Sequence, residues 1–363
     1  MLRGGERASD GPGGGAGPSR RSDVDFTATL GFMCGRFSPV ARWVATGLID
    51  LLQCPTCSCK VTAGSDQSGF TCPAGHVMGF RDGYLSAWRA EVDDVTLRTA
   101  ESFGYEWTTF DEIRDEDETF ARWYFADLSL DELTGRSGLD AGCGKGRFTR
   151  HLAPHVGALV ALDASIAIEV ATRDLAEFPN VVTVRSDLRS APFGDGTFEF
   201  VSSLGVLHHL EDPFAGFQAL ARLLSPGGIM LLYLYSRPSK FGVRWLGIEV
   251  ATLLRRVTVR TERRALRWMS AGAAAVLWAT VVAPGTLGER WGEAWLAKLP
   301  LAVYRRRPFR VLWLDTFDRL SAPVEHRYVW SELEPWFAQE GLVVKSVRED
   351  AGFFIVAGRP AAR

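Results

Sequence analysis

The 363-residue sequence has almost no excess charge of either sign. Lysine and arginine together number 41 and aspartate and glutamate 43, which leaves a net charge of −2 at neutral pH. A balance of this kind is ordinary for a globular protein, so the average composition indicates no particular partner. The basic start followed directly by an apolar stretch, which a secretion signal requires, is also missing. We therefore expect a cytoplasmic protein.

Large apolar side chains are sparse at the beginning of the chain. Residues 1–37 are rich in glycine and polar residues. A segment of this composition buries too little surface to offset its conformational entropy. The prediction for residues 1–37 is a disordered tail.

Cysteine is scarce except in one short segment. Of six cysteines, Cys54, Cys57, Cys59 and Cys72 lie between positions 54 and 72. In a large chain without a secretion signal, such clustering indicates metal ligation rather than disulfides. Cys54 and Cys57 form one two-ligand turn, and Cys72 with His76 forms a second, which together suit tetrahedral zinc. We predict a structural Zn²⁺ in a zinc-ribbon module with a preceding helix over residues 38–90, with Cys59 as a spare thiol.

The spacing within this module carries a resemblance. The order Cys-Pro-x-Cys, Cys-Pro-x-x-His and then Asp82-Gly83-Tyr84-Leu85 resembles the N-terminal ribbon of bacterial ribosomal-RNA guanine-N1 methyltransferases. It is also similar to short zinc ribbons fused to, or partnered with, other methyltransferases. The resemblance covers about residues 52–86 and leaves ribosomal RNA as one alternative acceptor.

A glycine loop lies between an apolar strand and a helical pattern near the middle of the chain. Residues 137–141 predict a buried strand, and they lead into the order Asp-x-Gly-x-Gly-x-Gly at Asp140, Gly142, Gly144 and Gly146. Glycine allows the backbone to turn tightly and to approach a ligand where a Cβ would clash. The pattern therefore predicts a nucleotide-binding turn.

Two further predicted strands end in a carboxylate. Residues 158–163 end at Asp163, and residues 181–188 include Asp187. The first carboxylate is placed to accept hydrogen bonds from ribose hydroxyls, and the second to meet an adenine amino group. A fourth strand is predicted within residues 198–209 and a fifth within 224–235. Three acidic strand ends around a glycine loop distinguish this pattern from that of a dinucleotide dehydrogenase.

Residues 135–236 resemble the class I S-adenosylmethionine-dependent methyltransferases. The resemblance implies an α/β fold, namely a doubly wound, Rossmann-like sheet of seven strands that binds S-adenosylmethionine. It also implies the cofactor-binding residues: Asp140, Gly142, Gly144 and Gly146 around the methionine part, Asp163 and Ala164 at the ribose, Asp187 and Leu188 at the adenine, and Leu204 at the end of the fourth strand.

The general base is harder to assign from sequence, because methyl transfer depends chiefly on aligning the acceptor with the sulfonium. His208 and His209 follow the fourth strand at the edge where ligands bind in such sheets, and histidine titrates near neutrality. They are the candidate catalytic residues. The alternative is that both belong to a loop that packs against the cofactor.

Residues 91–134 are interpreted as a helical lid segment. The stretch 102–110 resembles a segment that precedes the glycine loop in a group of bacterial methyltransferases that often accompany glycan or secondary-metabolite pathways. In that group it looks like a lid, which implies that Tyr105 and Trp107 cover the sulfonium by cation–π contact. Aromatic packing between modules is the alternative.

Residues 237–312 form a basic, tryptophan-rich helical insertion, with fifteen Arg or Lys against four acidic residues. No residue from 268 to 288 is charged, but Pro284 and Gly285 are predicted to end that helix, which leaves it too short to span a bilayer. Two interpretations remain open. The insertion lies on an anionic membrane surface, which makes the protein peripheral to the membrane, or it forms a cap that packs on the sheet.

Residues 313–363 are predicted to complete the sheet with a helix, opened by a capping box at Ser331 and Glu334, and two strands. The overall prediction is a methyltransferase that acts on a small-molecule, glycan or lipid-linked acceptor. The alternatives are ribosomal-RNA guanine-N1 methylation and a non-catalytic scaffold with the same fold. Nucleic acid is the less favoured partner, because the fourth strand lacks the Asn/Asp-Pro-Pro-aromatic loop common where exocyclic base nitrogens are methylated.

Overall fold

The computed structural model describes residues 38–64, 67–88, 92–110, 117–291 and 300–361. The predicted tail 1–37 and the part 292–299 of the insertion lie outside the described residues.

The strands of the described residues form one mixed sheet. Its strands are β1 Thr62–Ala63, β2 Gly69–Thr71, β3 Val77–Arg81, β4 Tyr84–Ser86, β5 Ser137–Ala141, β6 Ala158–Asp163, β7 Val181–Arg185, β8 Phe198–Leu204, β9 Leu224–Tyr235, β10 Val343–Glu349 and β11 Gly352–Gly358. Their order is β1-β2-β3-β4-β7-β6-β5-β8-β9-β11-β10. The prediction of an α/β sheet is confirmed, and the five central strands begin where the sequence places them.

The predicted count of seven strands is wrong, because the sheet has eleven. The four extra strands come from the cysteine-containing module. Strand β4 pairs in parallel with β7, with Leu85 opposite Val184 and Ser86 opposite Arg185. An unpaired sheet edge offers free backbone donors and acceptors, and here the module occupies the edge that β7 would otherwise expose.

The helices are α1 Pro39–Ala45, α2 Asp94–Thr109, α3 Asp117–Tyr124, α4 Thr149–Leu152, α5 Ala167–Asp174, α6 Pro213–Leu223, α7 Val243–Thr258, α8 Arg263–Leu277, α9 Ala283–Trp291, α10 Phe309–Ser321 and α11 Trp330–Gln339. Parallel strands β5 to β8 are nearly all buried, as expected when helices cover both faces of a sheet. One apolar cluster contains Leu139 and Val160, and a second contains Leu159 and Phe200.

The chain reverses direction across the sheet beside β5. Strands β6 and β7 lie on one side of β5, and β8 and β9 lie on the other. In open α/β sheets, ligands bind outside the carboxyl ends of the strands at such a switch point. The fold therefore places the glycine loop, which follows β5, at the position where a ligand is expected.

The helix of the insertion does not end at Pro284, so that prediction is wrong. Residues Arg263–Gly288 form one continuous helix of 26 residues. A π-helical turn, Trp278–Val282, precedes the proline. Such a turn changes the hydrogen-bond register locally and so accommodates a proline that lacks an N–H. At about 1.5 Å per residue the helix is about 39 Å long, and among the described residues it is the one helix long and apolar enough to cross a bilayer, with 22% of its most apolar window buried.

The last helix begins one residue before the predicted cap. Helix α11 starts at Trp330, so Ser331 lies inside its first turn. The carboxylate of Glu332 accepts a hydrogen bond from the backbone N–H of Val329 at 3.2 Å. The predicted capping box at Ser331 and Glu334 is therefore wrong, since Glu332 supplies the contact instead.

Candidate functional site

A cavity lies at the carboxyl ends of the central strands, between them and helix α2. It has a volume of about 760 Å³, part of which is open to solvent. Seven of the residues singled out in the sequence line it: Gly142, Asp163, Ala164, Asp187, Leu188, Leu204 and His209. Ligands and cofactors of α/β proteins bind preferentially in clefts at this position of the sheet.

The glycine loop requires backbone conformations that favour glycine. Gly142, Gly144 and Gly146 all have positive φ, at 83°, 54° and 80°. A Cβ at Gly142 would lie 2.3 Å from Cγ2 of Val206, which lines the same cavity. A Cβ at Gly146 would lie 2.9 Å from Leu175 and so faces the protein interior. Gly142 therefore shapes the cavity wall, while Gly146 serves packing.

Asp163 holds the glycine loop and also faces the cavity. Its Oδ2 accepts a hydrogen bond from the backbone N–H of Gly144 at 2.7 Å, and its Oδ1 accepts from the N–H and the hydroxyl of Ser165 at 2.7 and 2.6 Å. Burial raises the pKa of Asp163, and these three donors oppose that rise. Each carboxylate oxygen has two acceptor positions, so capacity remains for a ligand hydroxyl.

Asp140 is buried beneath the loop and does not line the cavity. Its Oδ2 accepts from the Thr149 hydroxyl at 2.6 Å, and its Oδ1 accepts from the Ser202 hydroxyl at 2.9 Å. Burial raises the pKa of Asp140 to about 6 despite these two donors. The geometry gives Asp140 the role of joining β5, α4 and β8, so a contact with the methionine part of a cofactor stays a prediction.

Asp187 lines the cavity, and its carboxylate is bound by Arg189. Arg189 Nη2 lies 2.5 Å from Asp187 Oδ2 and 2.7 Å from Asp93 Oδ2. Asp93 in turn caps helix α2 by accepting from the N–H of Thr96 at 2.7 Å. Arg189 therefore links the predicted adenine-binding strand end to the beginning of the helix that covers the cavity.

The two adjacent histidines occupy different environments. His208 is fully buried, its ring stacks on Tyr235 at 3.8 Å, and neither ring nitrogen has a hydrogen-bond partner among the described residues. Burial, and then the charges of His209 and Arg327, hold the pKa of His208 well below its usual value. His208 is therefore neutral near pH 7.

His209 lines the cavity beside Phe103, with the ring centroids 4.8 Å apart. Its Nδ1 lies 2.8 Å from the backbone carbonyl oxygen of Val324. A carbonyl oxygen only accepts, so Nδ1 carries the proton and Nε2 keeps a lone pair in the neutral ring. His209 therefore lines the cavity with Nδ1 engaged, whereas His208 is buried away from it, and a catalytic role for either histidine stays a prediction.

The two aromatic residues predicted to cover the cofactor face different partners. The Trp107 ring lies over the glycine loop, where a Cβ at Gly144 would be 3.2 Å from Trp107 Nε1. Tyr105 packs on Phe317 of α10, with ring centroids 5.8 Å apart. Neither residue lines the cavity, and their contact with a sulfonium stays a prediction.

The four predicted zinc ligands come together. The ligand atoms of Cys54, Cys57, Cys72 and His76 all lie within 4.8 Å of one another. His76 Nδ1 is 3.5 Å from Cys54 Sγ and 3.4 Å from Cys72 Sγ, and the Sγ atoms of Cys57 and Cys72 are 3.6 Å apart. Tetrahedral zinc at its usual bond lengths separates sulfur ligands by ~3.8 Å and sulfur from nitrogen by ~3.5 Å. The donor set therefore fits a zinc ion, and Cys59 remains outside it.

Sequence reasoning named the segment 91–134 as a lid but not the residues by which it lines the cavity. Helix α2 contributes Val95, Thr96, Thr99, Ala100 and Phe103 to the lining. Positions 96, 99, 100 and 103 have the spacing of a single helix face, which was a usable signal. The carbonyl of Val324 orients His209 from 115 positions away. No local sequence pattern predicts that contact.

Comparison with known proteins points to one class of domain. Residues 139–232 match the family model described as a methyltransferase domain. The ubiquinone biosynthesis O-methyltransferase of Xanthomonas oryzae pv. oryzae is 34% identical over 136 residues, which are 35% of this chain and 55% of that protein. The demethylmenaquinone methyltransferase of Staphylococcus saprophyticus is 30% identical over 110 residues, which are 29% of this chain and 47% of that protein. The chain thus spans about half the length of these relatives.

Among solved structures, the fold is similar to an S-adenosylmethionine-dependent methyltransferase from Aquifex aeolicus. The TM-score is 0.40 at 14% identity, and the match covers 69% of this chain and 96% of that one. A likeness at this level concerns only the course of the backbone.

Proposed function

We propose that the protein is an S-adenosylmethionine-dependent methyltransferase that methylates an oxygen atom of a small-molecule acceptor. The observation that carries the proposal is the single cavity in which Gly142, Asp163, Asp187 and His209 meet. The match of residues 139–232 to a methyltransferase domain supports the proposal.

The residues present fit the methyl donor. The cavity wall at Gly142 has no room for a side chain, which suits the close approach of a ligand to the loop. Asp163 would bind the ribose, with Ala164 beside it. Asp187 and Leu188 would flank the adenine, and Leu204 borders the same cavity. S-adenosylmethionine supplies a methyl group on a positively charged sulfur, which is already activated for displacement.

His209 is proposed to remove the acceptor proton. The Val324 carbonyl holds Nδ1–H, so Nε2 is the atom that takes the proton as the methyl group passes to the acceptor oxygen. A positioned base of this kind contributes typically about 10²- to 10⁴-fold in rate. His208 would act by packing on Tyr235 and so holding the loop. Phe103 and the rest of the α2 wall would exclude water.

The acceptor class rests on the relatives. Two of them are named as a ubiquinone biosynthesis O-methyltransferase and a demethylmenaquinone methyltransferase, so a small acceptor of quinol type is the first choice. Glycan and lipid-linked acceptors are retained as candidates. Ribosomal RNA is a second candidate because the Cys54, Cys57, Cys72 and His76 cluster has the geometry of a zinc ribbon.

A structural role is proposed for the zinc. Four protein ligands leave no open position, so the ion would stabilise the module rather than take part in catalysis. Because β4 of this module pairs with β7 of the core, folding of the module would support the sheet edge beside Asp163 and Asp187.

The proposal is tested by incubating the purified protein with methyl-labelled S-adenosylmethionine and separate pools of quinol-type lipids, glycans and ribosomal RNA. Label in a small-molecule pool is the expected result. Label only in ribosomal RNA would favour the second candidate. Cofactor binding without transfer to any pool would indicate a non-catalytic scaffold and contradict the proposal.

A further inference from the structure

Helix α7 has its apolar side on the outside. Its large exposed side chains are Leu246, Val250, Leu253, Leu254 and Val257, with Leu253 62% and Val257 70% exposed. At about 100° per residue these five positions fall within an arc of about 100°. Exposed apolar residues are common singly, but a contiguous stripe on a helix indicates a surface that contacts something else.

Two buried polar residues anchor the inner side of α7. Arg255 is buried and donates to Glu325 Oε2 at 2.7 Å and to the carbonyl of Arg319 at 2.9 Å. Thr258 is buried and donates to the carbonyl of Leu320 at 2.7 Å. These specific bonds fix the rotation of the helix, so the apolar stripe cannot turn inward without breaking a buried ion pair.

Helix α8 also exposes large apolar side chains. Trp268 is 71% exposed, and Met269 and Val276 are also exposed. Its inner side belongs to the protein core, because Leu266 packs in one cluster with Phe110, which follows α2, and with Phe317 of α10. That packing argues against α8 leaving the domain to span a bilayer, although the continuous helix Arg263–Gly288, of which α8 is the first part, is long enough.

Positive charge accompanies the apolar stripes. Arg256, Arg260 and Arg264 are exposed around the turn that joins α7 to α8. A basic segment with exposed tryptophan and leucine matches the chemistry of an interfacial helix on anionic lipid. We propose that the outer faces of α7 and α8 dock on an anionic membrane surface, so that the enzyme takes an acceptor dissolved in the membrane.

The docking surface is connected to the cavity. Helix α10, on which α7 and α8 pack, is bonded to the cavity wall by the Ser102 hydroxyl of α2, which donates to the Ser321 carbonyl at 3.0 Å. The following residues carry both Val324, which orients His209, and Glu325, which holds Arg255 of α7. This part of the inference rests on the proposed function, because it concerns where the acceptor comes from.

The test is flotation of the full-length protein with vesicles of phosphatidylcholine, with and without phosphatidylglycerol, at low salt. We expect binding to the anionic vesicles that salt weakens. The double variant Leu253→Gln, Val257→Gln should lose binding, and the matched control Val343→Gln, Val347→Gln, on exposed positions of β10, should keep it. Each of Arg256→Gln, Arg260→Gln and Arg264→Gln should weaken binding about fivefold, the equivalent of about 1 kcal/mol per basic residue near an anionic surface.

Absence of vesicle binding at low salt would overturn the inference, as would equal loss of binding in the control variant. Protein that stays with the vesicles after an alkaline carbonate wash would show a spanning helix and overturn it as well. S-adenosylhomocysteine binding is measured on the same samples without vesicles. If that binding is intact while flotation fails, only the docking proposal is rejected. If flotation succeeds while S-adenosylhomocysteine does not bind, the proposed function is rejected.

Discussion

Replacing Gly142 by alanine tests whether the cavity wall is shaped for the methyl donor. At φ +83°, alanine pays about 1–2 kcal/mol for a left-handed backbone. Its Cβ would also lie 2.3 Å from Cγ2 and 2.7 Å from Cγ1 of Val206, where carbon atoms normally keep about 3.5 Å or more. The loop or Val206 must therefore move by about 1 Å.

Forcing an extra carbon into a packed site typically costs about 1–3 kcal/mol, which is up to about a hundredfold in an equilibrium constant. We therefore expect Gly142→Ala to bind S-adenosylhomocysteine about a hundredfold more weakly in isothermal calorimetry. Gly135→Ala is the matched control, because Gly135 has a similar φ of +76° and nothing within 4 Å of the added Cβ. Gly135→Ala introduces the backbone strain without the clash, so it should lower the melting temperature and leave S-adenosylhomocysteine binding unchanged.

A second substitution identifies the clash as the cause. Val206→Ala removes both methyl groups that Gly142→Ala would meet and leaves the Val206 Cβ at 3.0 Å. The double variant should recover about tenfold in affinity, or about 1.4 kcal/mol. The reasoning would be refuted if Gly142→Ala folded cooperatively and bound the ligand as tightly as the Gly135→Ala control.

Three further predictions follow from the site and its surroundings. His209→Gln should lower kcat by about a hundredfold or more while leaving S-adenosylhomocysteine affinity unchanged, because a base acts on the acceptor; equal kcat would contradict this. Burial holds the pKa of His208 well below the usual histidine value, so below about pH 6.5 unfolding takes up a proton. The free energy of unfolding therefore falls by up to about 1.4 kcal/mol for each unit by which the pH is lowered. His208→Phe should flatten that acid-side slope in urea titrations at several pH values, and an unchanged slope would exclude His208 as its source. Cys54→Ser should abolish one bound zinc per chain in metal analysis and lower Tm, whereas the exposed Cys59→Ser should do neither; a metal content independent of Cys54 would disprove the ligand set.

The central strands could be predicted from sequence because their signal is local. Ala158–Asp163 is a continuous apolar run that ends in a carboxylate, and it forms β6 with the same bounds. The glycine loop could also be predicted, because its glycines are closely spaced in the sequence. All three have positive φ in the structure. The four metal-ligand candidates were found from spacing alone.

Pairing between distant elements could not be predicted in this way. Nothing in residues 84–86 specifies that β4 adds to the edge of β7, because that contact depends on which edge the folded core leaves open. For the same reason, the sequence did not separate the roles of His208 and His209. Their difference comes from Val324 and Tyr235, which approach from other parts of the chain.

The helical insertion shows a different limit. A periodic apolar stripe indicates a helix but does not say which side faces the protein. In α7 the inner side is set by Arg255 and its bond to Glu325, a pair separated by 70 positions. The helix end predicted at Pro284 is wrong because the π-helical turn at Trp278–Val282 accommodates the missing N–H of the proline.

The most direct test of the account is calorimetric titration of the wild-type protein with S-adenosylhomocysteine, with NAD as the matched control ligand. We expect saturable binding of one molecule of S-adenosylhomocysteine per chain, displaced by S-adenosylmethionine, and no binding of NAD. Cooperatively folded protein that gives neither heat nor a thermal shift with either sulfur nucleoside would contradict it.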